Sequence, residues 1–176
     1  MGNQLVQIRE ATRKDAEAIS RVHDEAWRGT YQGIIPHIYL EKLIARRGPL
    51  WWDRYLNRPR SGVIVLTFNG VVQGYASYGA ARVPRRSGAG EIYELYLSPT
   101  FQGVGLGKTL FAATRQMLVK QGWRSLLVWA LADNQVACGF YSHLGGRRCA
   151  TAPERYGDIT LHRVAFFWEP VRRPAR

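Results

Sequence analysis

Pro99-Thr100-Phe101-Gln102-Gly103-Val104-Gly105-Leu106-Gly107-Lys108-Thr109 places three glycines at alternate positions between a strand-like and a helix-like segment. Glycine adopts backbone conformations that cost other residues on the order of 1 kcal/mol, so successive N–H groups here can turn toward one anion at a helix start. The stretch reads as a phosphate-holding loop. Two phosphate motifs are excluded by position. A P-loop ending on Lys108-Thr109 needs glycine where Gln102 stands. A dinucleotide fingerprint needs its third glycine at Lys108 or at Leu110, depending on where it starts.

C-terminal to the loop, Gly105 to Gln121 places Leu106, Leu110, Ala113, Met117 and Leu118 on one helical face. Leu126 to Leu131 reads as a buried strand, Gln135 to Leu144 as a helix closed by Gly145, and Thr160 to Trp168 as a last strand. On the N-terminal side, Glu91 to Leu97 is a strand, preceded by a mobile basic loop from Ala81 to Gly90. Val63 to Phe68 and Val71 to Tyr78 flank Asn69-Gly70, the signature of a type I′ hairpin.

Leu5 to Arg9 alternates as a half-buried strand should, and Thr12 with Asp15 predicts a capping box. The helix that follows carries Ala16, Ile19, Val22 and Ala26 on one face and ends near Trp27 to Gly29. A second helix is expected to start at Pro36, and Trp51, Trp52, Tyr55 and Leu56 suggest a short helical turn. The order implies an α/β (α+β) fold, a mixed sheet flanked by helices. It is expected to form one domain over 1–176, with a short basic tail from about 170 to 176.

The 176 residues are 46% hydrophobic, enough for one sizeable core. Cys138 and Cys149 are too few for a disulfide framework, and no His or Cys spacing suits a metal, so no metal site and a reducing, cytoplasmic setting are expected. Charges and glycines interrupt every apolar run that could cross a membrane, so no membrane partner is expected. The formal charge of +12 draws polyanions toward the surface without naming one, and its arginines are scattered rather than blocked. A nucleic-acid-binding module therefore stays a competing reading, though no motif supports it.

The loop resembles the pyrophosphate loop of the GNAT superfamily of N-acetyltransferases, a Gln or Arg, two residues, Gly, one residue, then Gly or Ala; Gln102, Gly105 and Gly107 fill it. Glu91-Ile92-Tyr93-Glu94-Leu95-Tyr96-Leu97-Ser98-Pro99 is similar to the family's fourth strand, and Asn134, Ala137, Phe140 and Tyr141 to its later Asn, Ala, Phe-Tyr pattern. Trp27-Arg28 with Tyr31, Gly33 and Pro36 looks like the N-terminal segment of small bacterial members. One departure is Gly146, where the family commonly places an aromatic residue.

The resemblance implies a single-domain GNAT-like fold with a mostly antiparallel central sheet, and acetyl-CoA as the cofactor, bound by Leu95, Tyr96 and Leu97 through its pantetheine arm and by Gln102, Gly103, Val104, Gly105, Leu106, Gly107 and Lys108 through its phosphates. Asn134 and Tyr141 join that set, and Tyr141 matches the family's proton donor to the leaving thiolate. A substrate amine is mostly protonated at neutral pH, so a base is needed, and Glu91 and Glu94 are the candidates. Glu91 is favoured because it matches a position that some members use as a base. The two alternate faces on an ideal strand, so at most one should face the acetyl group. Trp27, Tyr31, Tyr39 and Tyr78 are candidates for an acceptor pocket, of which Trp27, Tyr31 and Tyr78 are carried as substrate-binding. The acceptor is a small-molecule or protein amine, a homodimer stays open, and a CoA-binding sensor without catalysis remains an alternative.

Overall fold

The computed structural model describes residues 5–58, 62–83 and 88–170. The expected basic tail from about 170, and Pro84 to Ser87 of the expected loop, lie outside the described residues. The chain runs β1 (Val6–Glu10), α1 (Ala16–Tyr31), α2 (His37–Ala45), α3 (Pro49–Leu56), β2 (Gly62–Phe68), β3 (Val71–Ala80), β4 (Ala89–Leu97), α4 (Leu106–Lys120), β5 (Ser125–Leu131), α5 (Gln135–His143), β6 (Arg147–Tyr156) and β7 (Ile159–Trp168). The strands form one sheet of order β1-β2-β3-β4-β5-β7-β6. Antiparallel ladders join β1 to β2, β5 to β7 and β6 to β7, while β4 and β5 are parallel. The expected α/β class and mostly antiparallel sheet are present.

Two compact units divide the chain. The first takes Met1–Ser77 and Glu94–Thr114, the second Tyr78–Tyr93 and Arg115–Arg176. In the first, Ala16, Ile19, Val22, Trp52, Val63, Val65, Val72 and Tyr75 form a core on which Trp51, Tyr55 and Tyr96 pack. Asp15 starts α1 as the sequence predicts, its carboxylate accepting from the Thr12 N–H at 2.8 Å and from both terminal nitrogens of Arg9 at 2.8 Å. The Arg9 guanidinium holds this carboxyl below the usual range. The hairpin turn has φ 49° at Asn69 and 80° at Gly70, both left-handed as a type I′ turn requires. In the second unit, Ala89, Leu127, Ala165 and Phe167 are buried together.

Several boundaries differ from expectation. A 3₁₀ turn over Arg13–Asp15 precedes α1, which runs on to Tyr31 instead of ending near Gly29. Pro36 caps α2 from outside rather than opening it, and the turn at Trp51 is a full helix with Pro49 in its first turn. β4 begins at Ala89, not Glu91, so the basic loop is shorter. The largest miss is β6, a strand the sequence pattern does not announce. It lies at the sheet edge beside β7, is exposed along most of its length, carries Pro153 and breaks register between Arg148 and Ala150. An edge strand needs no apolar alternation and tolerates proline, so the signal for a strand is missing.

Candidate active site

The loop after β4 is built as an anion cradle. Gly103 and Gly105 have φ of 76° and 86°, conformations that a side chain would strain, while Gly107 lies within α4. A Cβ added at either Gly103 or Gly105 would meet nothing within 4 Å, so the backbone faces open space. The Gly105 carbonyl accepts from the Thr109 N–H at 3.2 Å and from its hydroxyl at 3.3 Å, which fixes the start of the helix. The first N–H groups of α4 therefore point out of the helix unpaired by geometry, at its positive end. Gln102 does not reach outward: its Nε2 donates to the Leu97 carbonyl at 3.0 Å, tying the loop to the end of β4. Val104 and Lys108 are exposed.

β4 pairs with β5 from Ala89↔Ser125 to Ile92↔Val128, and both strands continue past the last of these pairs. Leu95 and Tyr96 on that continuation are half-buried and Leu97 is buried. Ser98, the next residue, donates to Glu25 on α1 at 2.9 Å, and Arg21 reaches the Val72 carbonyl at 2.6 Å from the same helix. These bonds seat the end of β4 within the first unit.

The two glutamates have different partners. Glu91 is 1% exposed and holds Arg82 three ways, by the backbone N–H at 2.8 Å and by Nε and Nη2 at 3.1 and 2.7 Å. Glu94 accepts from Arg47 Nη1 at 2.8 Å, from the Tyr75 hydroxyl at 3.3 Å and from the Ser77 hydroxyl at 3.5 Å. Tyr75 and Ser77 share a face of β3 by the period of two. Burial beside Glu94 pushes the Tyr75 phenol well above its ordinary range, so it stays a hydrogen-bond donor.

Around Glu94 the first unit gathers aromatic rings. The Tyr75 ring lies 5.0 Å from Trp52 and 5.9 Å from Tyr96, and Tyr96 lies 6.1 Å from Trp27. Tyr31 packs 5.0 Å from Trp27, and its hydroxyl is 2.7 Å from that of Tyr96. His23 is fully buried 4.9 Å from Trp27, and desolvation holds its pKa below the ordinary value despite Asp24 beside it. His23 Nε2 and the indole nitrogens of Trp27 and Trp52 are buried without a hydrogen-bond partner.

Of the expected acceptor residues, Trp27 and Tyr31 meet in this cluster. Tyr39 lies on α2 with Lys42 5.8 Å over its ring, and Tyr78 is a buried residue of the second unit. Asn134 caps α5, its Oδ1 accepting from the Ala137 N–H at 3.1 Å. Tyr141 is 7% exposed and packs 5.7 Å from Phe166 and 6.1 Å from Trp168. Gly146 resolves the departure from the family pattern: a Cβ there would come within 2.6 Å of the Trp168 ring, whose Nε1 donates to the Leu144 carbonyl at 2.8 Å. Arg47, Tyr75, Ser77 and His23 were missed from sequence, since their meeting depends on long-range pairing.

Among the described residues no cluster of His, Cys, Asp and Glu could hold a metal, and no helix is long and apolar enough to cross a membrane. Cys138 is buried and Cys149 exposed, both free.

A family model described as the Acetyltransferase (GNAT) family matches residues 19–145. The uncharacterized N-acetyltransferase YuaI of Bacillus subtilis is 32% identical over 165 residues, 93% of each chain. A spermidine N(1)-acetyltransferase of Thermoplasma acidophilum is 27% identical over 139 residues, 77% of this chain and 84% of its own. In fold, the chain is similar to the PaiA N-acetyltransferase of Thermoplasma acidophilum, solved in complex with coenzyme A, with a TM-score of 0.74 at 20% identity over 90% of this chain and 97% of that one.

Proposed function

This chain belongs to the acetyltransferase (GNAT) family, and we propose that it is an acetyl-CoA-dependent N-acetyltransferase that moves the acetyl group to a primary amine by direct attack on the thioester. The observation that carries the reading is the loop Gln102–Lys108: two left-handed glycines facing open space at the start of a 15-residue helix. Those features fit a pyrophosphate, which needs close backbone approach and converging N–H groups. The solved neighbour in complex with coenzyme A agrees with it. We read 1–176 as a single domain, since the family match over 19–145 draws on both compact units.

Acetyl-CoA supplies an acetyl group activated as a thioester. The backbone of Leu95, Tyr96 and Leu97, beyond the part of β4 that pairs with β5, offers peptide groups on that edge to the pantetheine arm. Glu94 takes a proton from the acceptor ammonium, as its carboxylate shares a cluster with Trp27, Tyr31 and Tyr96. Glu91, favoured by the resemblance alone, holds Arg82 instead. Tyr141, by its match to the family pattern, gives a proton to the leaving thiolate. A cytoplasmic protein with a small-molecule or protein amine as acceptor follows from this reading. The test is thiol release from acetyl-CoA with and without amine acceptors: acceptor-dependent release of CoA supports transfer, whereas CoA binding without release across a broad acceptor panel leaves a sensor.

A further inference from the structure

Arg47 and Glu94 form an ion pair of unequal depth. Their side chains are 32% and 11% exposed, and Nη1 meets Oε1 at 2.8 Å. Glu94 is anchored from the inside by Tyr75 and Ser77, so it stays where it is when Arg47 turns away. Arg47 follows the C-cap of α2 and precedes Gly48, in the short connection to α3, and its guanidinium lies 4.3 Å over the Trp51 ring. A guanidinium has five donors in a planar fork that matches a carboxylate two bonds at a time, and only part of that fork faces Glu94.

We propose that this pair recognises a zwitterionic acceptor, an amine carrying a carboxylate close by, as in a free α-amino acid. The proposal rests on the transferase reading and names its substrate class. The acceptor ammonium replaces Arg47 at Glu94, and the acceptor carboxylate takes the fork of Arg47 against Trp51. Both protein charges then keep a partner. A simple amine would leave Arg47 unpaired beside the aromatic cluster, and a polyamine would add positive charge to a chain already at +12. The rings of Trp27, Tyr31 and Tyr96 offer the acceptor side chain an apolar wall, which points to an aromatic or large aliphatic amino acid. In the transfer the nitrogen forms an amide bond as the thioester C–S bond breaks. Of the two protons the ammonium loses, one passes through Glu94 to solvent and the other balances the proton given to the thiolate.

The experiment measures kcat/KM from thiol release for matched sets: free amino acids, their amides and their decarboxylated amines, with spermidine and a short peptide alongside. The free acid should exceed its amide and amine by about tenfold or more, the usual worth of a charge-assisted bidentate contact. Arg47→Gln should bring that ratio near one with CoA affinity unchanged, and Arg47→Lys, which keeps charge but loses the fork, should fall between. Equal use of acid and amide, a preference for spermidine or the peptide, or an equal loss on all substrates in Arg47→Gln overturns the proposal. So does CoA binding with no free amino acid acetylated. Failure to bind CoA at all is a different result, since it removes the transferase reading beneath.

Discussion

At its start, where β4 lies in register with β5, Glu91 is sealed from solvent and its carboxylate holds both the backbone and the guanidinium of Arg82. Further along, Glu94 faces hydroxyls and a half-exposed arginine, inside a cluster that leaves three buried nitrogens unpaired. Both carboxylates are paired with arginine, yet Glu91 also accepts a backbone N–H, whereas Glu94 accepts from the side chains of Arg47, Tyr75 and Ser77. The Arg82 N–H also closes the β3–β4 connection, where the Tyr93 hydroxyl donates to the Ala80 carbonyl at 2.7 Å and Arg82 lies 4.2 Å over the Tyr93 ring. The difference teaches that an ion pair alone does not mark a catalytic carboxylate: Glu91 braces backbone, whereas Glu94 is the one that the proposed reading makes the base.

The largest effect is expected at Tyr141, which the proposed transfer needs whichever glutamate is the base. Tyr141→Phe keeps the ring against Phe166 and Trp168, so CoA affinity should hold while turnover falls by roughly a hundredfold or more. Unchanged turnover with chemistry rate-limiting would make Tyr141 a packing residue.

The two glutamates give the next effect and the sharpest contrast. Glu94→Gln should lower kcat by about ten- to a hundredfold. Glu91→Gln should instead cost about 1–3 kcal/mol of stability, since it weakens buried charge-assisted bonds, and leave kcat within a few-fold. The reverse pattern, read from initial rates and denaturant titrations, would restore Glu91 as the base.

Much of the scaffold was legible in the sequence, and what was lost follows a physical rule. The hairpin at Asn69-Gly70, the amphipathic α1 and the glycine loop are local signals, set by backbone preference and helical period. β6 was invisible, because an edge strand with Arg147, Arg148 and Pro153 carries neither alternation nor burial. The site divides in the same way. Its loop could be read from consecutive residues, whereas Glu94 meets Arg47 across 47 residues and Tyr75 across 19. The exclusion of a side chain at Gly146 likewise comes from afar, from the Trp168 ring.

The smallest effect concerns His23 at the floor of the Glu94 cluster. Burial outweighs the hydrogen bond that His23 makes to Asp24 and the charge of Glu94, while Arg47 adds to the lowering, so the folded-state pKa lies below the ordinary 6.5. The unfolded chain therefore takes up a proton that the native imidazole refuses, and this contribution to stability, present above pH 6.5, is lost as pH falls below it. Denaturant unfolding should show that decline beginning near pH 6.5, and His23→Gln should flatten it. An equal slope in the variant would assign the decline to other groups.

Calorimetric titration of acetyl-CoA into the purified protein and its Gly105→Val variant tests the central claim most directly. The parent should bind within the range from about 1 μM to 1 mM usual for metabolic enzymes, and should melt higher in its presence. In the variant, a branched side chain at φ 86° strains the loop and blocks the phosphates, so binding should weaken by about 1–3 kcal/mol in a protein that remains folded. No binding at millimolar acetyl-CoA, or equal affinity in a folded Gly105→Val protein, would contradict the account.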